Sequence, residues 1–408
     1  MKTILKIAWR NLWRNKRRTL IAISSVFFAA LMCLLLKSLM DGSTGYIIDT
    51  TVERQTGTFQ VMSSEYWDDK TVDNFVSVDE NTLKKREAIP NVTRLTPRIE
   101  AFAMVWNGTR TKPISLIGID PARESQFSKL DTRMQQGEFL SQDDKGVIVG
   151  SRCAEVMNLS VGDTIALIGQ GYHGSSATGL FVVKGIVKAF DPLLDAGCAY
   201  TSIATAREFI DMPDGATYIS VVLQNPDKIN QAIAALKQTA GENDDLVYRP
   251  WQELIVDTAA GAASDKKSME IYFYILYVVV GFGLLSTIIM LTNERRKEFG
   301  IMTALGMKKG SLTAGLFIEM LFINLLGLLA SLVVSIPIIL YFHHFPPRFT
   351  GALEKSFLDM GYDPIMPFDV SVNLFVTQTA IVAFIAVVIT LYPYLKIKQM
   401  NIIDALRK

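Results

Sequence analysis

A 408-residue chain that is half hydrophobic, with a mean hydropathy of +0.26, is too apolar to keep an ordinary water-soluble surface. A net charge of +1 excludes the cationic excess of a nucleic-acid binder. Cys33, Cys153 and Cys198 are too few for a disulfide scaffold, and His173, His343 and His344 too scattered for a metal centre.

In chain order, residues 1–18 come first, with Lys2, Lys6, Arg10, Arg14, Lys16, Arg17 and Arg18 and no acid. Ile4, Leu5, Ala8, Trp9, Leu12 and Trp13 recur at helical spacing, which predicts an amphipathic helix in the headgroup layer with its tryptophans at the interface. Thr19 to Leu36 is an uncharged run, long enough as a helix to cross a hydrocarbon core of roughly 30 Å. No small-x-small cleavage site follows it, so it reads as an uncleaved anchor, with Lys37 snorkelling at its outer end.

Residues 41–268 change to mixed strand and helix. Val92 to Trp106 and Lys112 to Ile119 flank Asn107-Gly108 and predict a hairpin with a type I′ turn. Short strands follow at Val147–Val149, Thr164–Ile168 and Phe181–Val187, and Ser151 reads as the cap of a short helix. These make a β-rich subdomain of about 95–210. Tyr218 to Leu223, a helix opened by Asn225-Pro226, and Leu246 to Tyr248 pair with 41–94 as an α+β subdomain built from 41–94 and 211–268. Trp251 to Ser268 is expected to run as a helix into the next span. The glycine-rich stretch 169–179 lacks the Lys-Ser/Thr of a phosphate loop and reads as a loop between strands. Cys153 and Cys198 are equally compatible with a disulfide and with buried thiols.

Three further apolar runs follow: Ile271 to Leu291, Ser311 to Phe342 with Glu319 as its one charge, and Val370 to Leu395. The fold class is therefore a membrane α-helical protein of four spans (19–40, 269–292, 311–342, 370–395), with a large α+β domain inserted between the first and second. Positive segments stay cytoplasmic. Arg295, Arg296, Lys297, Lys308 and Lys309 between spans two and three, and Lys396, Lys398, Arg407 and Lys408 in the tail 396–408, put both termini and the 293–310 loop inside. The inserted domain and the acidic connection 343–369 are then outside.

The inner segment 294–310 carries the clearest signal. A short helix there has Phe299, Met302 and Leu305, with Ile301 beside them, on an apolar face, while Gly306 and Gly310 can end it. Topology alone would not ask for the acids Glu294 and Glu298. The pattern Glu294-Arg295-x-x-Glu298-Phe299-Gly300-Ile301-x-x-Ala304-x-Gly306 resembles the coupling region of the FtsX/MacB/LolC-LolE permease superfamily. So do the opening at Lys6–Leu20 and the closing Tyr392-Pro393 with Asp404–Arg407, where Ile402 stands in place of the usual proline. Thr96–Arg98, Leu116–Pro121, Gln136–Leu140, Val147–Ala154, Leu159–Asp163 and Val182–Phe190 resemble the lipoprotein-releasing LolC/LolE branch.

The resemblance implies an FtsX-like permease domain over about 270–400, a MacB-like outer domain over 41–268, and an inner-membrane location. It implies a non-catalytic subunit without a cofactor of its own, since no Walker A motif occurs between residues 1 and 408. ATP and Mg would be used by a cytosolic ABC ATPase dimer. The implied partners also include a second permease subunit, identical or paralogous, a lipoprotein cargo and a periplasmic carrier, with the efflux type as the alternative and a membrane signalling receptor as a reading of a different class. The implied ATPase-coupling residues are Glu294, Arg295, Arg296, Glu298, Phe299, Gly300, Ile301, Ala304, Leu305, Gly306 and Met307. Glu319 reads as a carboxyl hydrogen-bonded within the bundle, because an unpaired one there is costly.

Overall fold

The computed structural model describes residues 2–14, 16–240, 245–307, 309–360 and 362–398; Lys308, Ile402 and the closing Asp404–Arg407 lie outside them. The chain divides into two compact units. One comprises Met1–Tyr46, Ala263–Arg348 and Ile365–Lys408, and the other Ile47–Ala262 and Phe349–Pro364.

The first unit is helical. An N-terminal helix, Lys2–Arg14, precedes span 1 (Lys16–Thr51); span 2 is Val256–Glu294, span 3 Lys309–His344 and span 4 Val372–Lys398. Among the described residues, these four spans are the helices long and apolar enough to cross a membrane. Spans 1 and 2 run on well past the apolar stretches that predict them. At 36 and 39 residues they reach roughly 54 and 58 Å. At Gly42 span 1 runs so close to the chain before span 4 that a Cβ would lie 2.3 Å from the Pro367 carbonyl oxygen. Nearby, the Ser38 hydroxyl donates to the Asp369 carbonyl at 2.6 Å.

Close approach and a few polar bonds hold the spans, as expected where lipid removes the hydrophobic drive between helices. Val26, Ala30, Cys33, Leu284, Leu328, Val382 and Ala386 form one buried cluster, and Gly327 lets Val26 come close. Side-chain hydrogen bonds cross between spans. Asn324 Nδ2 donates to Thr390 Oγ1 at 3.2 Å, and Tyr277 donates to Gln378 Oε1 at 2.7 Å.

The second unit is built on a ten-stranded sheet: β1 (Phe59–Ser63), β2 (Val92–Trp106), β3 (Thr111–Ile119), β4 (Met134–Gly137), β5 (Val147–Gly150), β6 (Thr164–Gln170), β7 (Ser176–Val187), β8 (Cys198–Ser202), β9 (Tyr218–Leu223) and β10 (Leu246–Pro250). The order is β10-β1-β9-β2-β3-β8-β5-β7-β4, with β6 joining β2 and β7. Strand β2 belongs to both ends of it: Val92–Arg98 pairs with β9 and Arg98–Trp106 with β3. At that changeover Arg98 is buried, its Nε donating to Glu124 Oε2 at 3.0 Å and its Nη1 to the Gln55 carbonyl at 2.8 Å. The two largest of this unit's buried clusters lie around Phe59, Val61, Leu95 and Leu236 and around Val105, Leu116, Leu167 and Val183.

Several local expectations are corrected. The β2–β3 connection is a four-residue loop, since Trp106 faces Thr111, and Asn107 Oδ1 accepts from the backbone of Thr109 and Arg110 in place of a type I′ turn. Ser151 does not cap its helix, Ser151–Met157, but is its first residue. The buried Asp195 carboxylate caps it from a distance, accepting from the backbone N–H of Ser151 and Arg152 at 3.0 Å each, and from Ala189 N–H at 2.9 Å. The glycine-rich loop shrinks to Gly171–Ser175, because Gly169 and Ala177 are already paired strand residues. The helix expected from Trp251 into span 2 breaks at Ile255. Cys153 and Cys198 are buried free thiols.

One face of β2, β6 and β7 is buried, while the other presents Phe102, Trp106, Ile168, Leu180 and Val182 to solvent. This exposed apolar patch lies on a sheet face whose residues alternate inward and outward along each strand.

Candidate functional site

The site is the junction between spans 2 and 3. Span 2 ends at Glu294. Arg295 (φ −90°, ψ −1°) breaks the helical path, and a bridging helix, Arg296–Ala304, follows. The Met307 N–H bonds back to the Met302 carbonyl, and Gly306 takes the positive φ of 96° that closes such a helix before span 3 starts.

The break turns Arg295 inward. Its Nη1 donates to Glu319 Oε2 at 2.6 Å, and the two side chains are only 7% and 5% exposed. A charged pair that dry is costly to break from one side, about 3–5 kcal/mol. Phe299 is buried next to it among Leu12, Leu312 and Leu316, with Met302 partly buried against the same cluster and Gly300 also buried. The bridging helix is therefore fastened to span 3 by one ion pair and one aromatic plug.

The expected apolar face is thus only half right. Phe299 and Met302 face inward, but Leu305 is 83% exposed and Ile301 and Met307 nearly half exposed, with Ala304 and Gly306 exposed beside them. Among the implied coupling residues, Arg295 is buried and paired with Glu319. Arg296 opens the bridging helix, and its side chain lies outside the description.

The two acids also have partners that the reading of the sequence missed. Glu294 pairs with Arg18 at 2.8 Å and Glu298 with Arg14 at 3.3 Å. These pairs are partly exposed and each contributes about 0–1 kcal/mol, so they orient more than they stabilise. The N-terminal helix supports the site in a second way. Leu12 is fully buried against Phe299, and Trp9 meets Phe322 edge-on at 5.5 Å. The helix is partly a packing element, while Trp9 and Trp13 keep 45% exposure. The i, i+4 pair Ala8 and Leu12, both buried, was the available signal. A cavity of about 310 Å³ lies alongside, lined in part by Asn11, Glu298, Met302 and Glu319.

Comparison with known proteins agrees with this layout. The MacB-like periplasmic core domain model matches residues 19–239 and the FtsX-like permease C-terminal model matches 270–402. The lipoprotein-releasing system transmembrane protein LolC of Neisseria meningitidis is 22% identical over 272 residues, covering 65% of each chain. LolE of Haemophilus influenzae is 24% identical, covering 56% of each chain. The macrolide export ATP-binding/permease protein MacB of Aggregatibacter actinomycetemcomitans is 22% identical, covering 79% of this chain and 50% of its own. The matched part thus spans about two thirds of the LolC relative's length and half of the MacB relative's. Four spans, a large α/β domain between the first two, and both family models in their expected order lead to one conclusion: the chain belongs to the family with a MacB-like periplasmic core domain and an FtsX-like permease domain, and is a multi-pass ABC transporter permease of the LolC/LolE/MacB type.

Proposed function

We propose that this chain couples ATP hydrolysis by a separate cytosolic ATPase dimer to rearrangement of its outer domain, and that the work done is release of lipoproteins from the inner membrane. The observation that carries the reading is the bridging helix itself, fixed to span 3 by Arg295–Glu319 while Ile301, Leu305 and Met307 stand exposed at its end. A rigid element with protruding apolar knobs transmits a push from a partner into the spans. ATP and Mg belong to that partner, and two permease chains, identical or paralogous, engage the two ATPases. This reading puts both termini and the bridging helix on the cytoplasmic side, which the distribution of Lys and Arg supports.

The cargo reading is supported by the LolC and LolE relatives and by the exposed apolar patch of Phe102, Trp106, Ile168, Leu180 and Val182 on the outer unit, which suits an acylated passenger. Burial of each methylene of a lipid anchor is worth roughly 0.8 kcal/mol, a cost of extraction that ATP must offset. The MacB relative supports a second reading, efflux. Depletion of the protein followed by membrane fractionation separates them. Mature lipoproteins accumulating in the inner membrane support release; an unchanged distribution together with new sensitivity to a drug or peptide moves the function to efflux.

A further inference from the structure

A cleft of about 650 Å³ opens where the N-terminal helix meets the inner ends of spans 1 and 2. Arg14, Lys16, Arg17 and Arg18 line it, against a single acid, Glu294. Trp13 stands at its wall, and Ile21 and Met290, both about half exposed, supply its apolar part. We propose that this cleft binds the phosphate-bearing headgroup of an anionic phospholipid.

Three features favour that ligand. The basic residues immediately precede the apolar run of span 1, so the cleft sits at the level where headgroups lie. Arginine holds phosphate through paired, charge-assisted hydrogen bonds. Arg18 is short of acceptors: Glu294 takes its Nε, while its Nη1 is buried with no partner among the described residues. Ile21 and Met290 add what a free phosphate ion cannot use, an apolar surface for the glycerol and first acyl carbons, and Trp13 is a residue typical of this depth. A headgroup that draws on Arg18 competes with Glu294, the last residue before the bridging helix, so lipid occupancy acts on the coupling site. The inference does not depend on which cargo the protein moves.

The test uses the purified full-length protein and native mass spectrometry, titrating phosphatidylglycerol against phosphatidylcholine. The wild type retains phosphatidylglycerol at least about tenfold better, and the double variant Lys16→Gln/Arg17→Gln weakens that binding about 30-fold, as two lost charges near the ligand predict. Lys16→Arg/Arg17→Lys restores it. Lys6→Gln/Arg10→Gln removes the same charge outside the cleft and leaves binding within about twofold. Equal losses in the two neutralised variants, or equal retention of both lipids, overturn the site. Displacement of phosphatidylglycerol by about 10 mM soluble glycerol 3-phosphate would mean that a soluble phosphate is the ligand, and overturns the lipid assignment; at that concentration a ligand recognised by phosphate alone competes fully.

Discussion

The Arg295 guanidinium meets the Glu319 carboxylate at 2.6 Å, each nearly dry, so the residue that follows span 2 is tied directly to the first third of span 3. The exposed bridging helix hangs from that tie. Removing one partner strands a buried charge; removing both does not.

This relationship makes the first prediction. Arg295→Met or Glu319→Met alone should each destabilise the detergent-solubilised protein by about 3–5 kcal/mol, whereas the double variant should recover most of the loss. Thermal unfolding followed by tryptophan fluorescence gives the comparison. Additive losses would mean that the pair is not one unit.

The second concerns Glu298. Reversing it to Lys first repels Arg14, 3.3 Å away, before any other protein is involved. Because the pair is partly exposed, the effect on stability should stay at about 1 kcal/mol or less. The swap Arg14→Glu with Glu298→Lys should restore whatever ATPase activity and transport Glu298→Lys loses. If the swap rescues nothing, the acid serves a contact other than Arg14.

A third prediction follows from the buried thiols of the outer unit. Burial pushes the Cys198 thiol well above its ordinary value near 9 and raises Cys153 too. The folded protein therefore holds both protonated, and neither should react with a maleimide at pH 8 until the protein is denatured. The sign for stability follows from the same shift. With folded values above the unfolded ones, these thiols contribute fully below about pH 9, and the contribution is lost as pH rises through the folded values. Burial likewise raises the buried tyrosines Tyr66, Tyr200 and Tyr218, so the Cys198 share is the part of the alkaline loss that disappears in Cys198→Ala.

Much of this fold is readable before any coordinates, because its strongest signals are local. Four apolar runs, the charge of the segments between them and the Glu294–Gly306 wording need only neighbouring residues. What escapes is what distant pairs decide. Glu294 and Glu298 read as acids free for a partner because Arg18 and Arg14 lie some 280 residues earlier, and no periodicity connects them. Leu305 reads as apolar-face and therefore inward, yet it falls beyond the last helical residue, where Gly306 turns the chain and leaves it exposed. Asp195 gives no sign that it caps a helix 44 residues away. Long-range electrostatics and capping of this kind leave composition and spacing unchanged.

The most direct test of the coupling account is ATP-driven release in proteoliposomes containing this permease and its ATPase, with Leu305→Asp in place of the wild type. The substitution puts a charge on the most exposed apolar residue of the junction, outside the Phe299 cluster, so the fold should hold. The account predicts normal insertion and thermal stability, with ATP-dependent release of an acylated passenger reduced at least about tenfold, the usual scale for a central apolar contact at an interface. Full release by Leu305→Asp at an unchanged rate of ATP hydrolysis would contradict it.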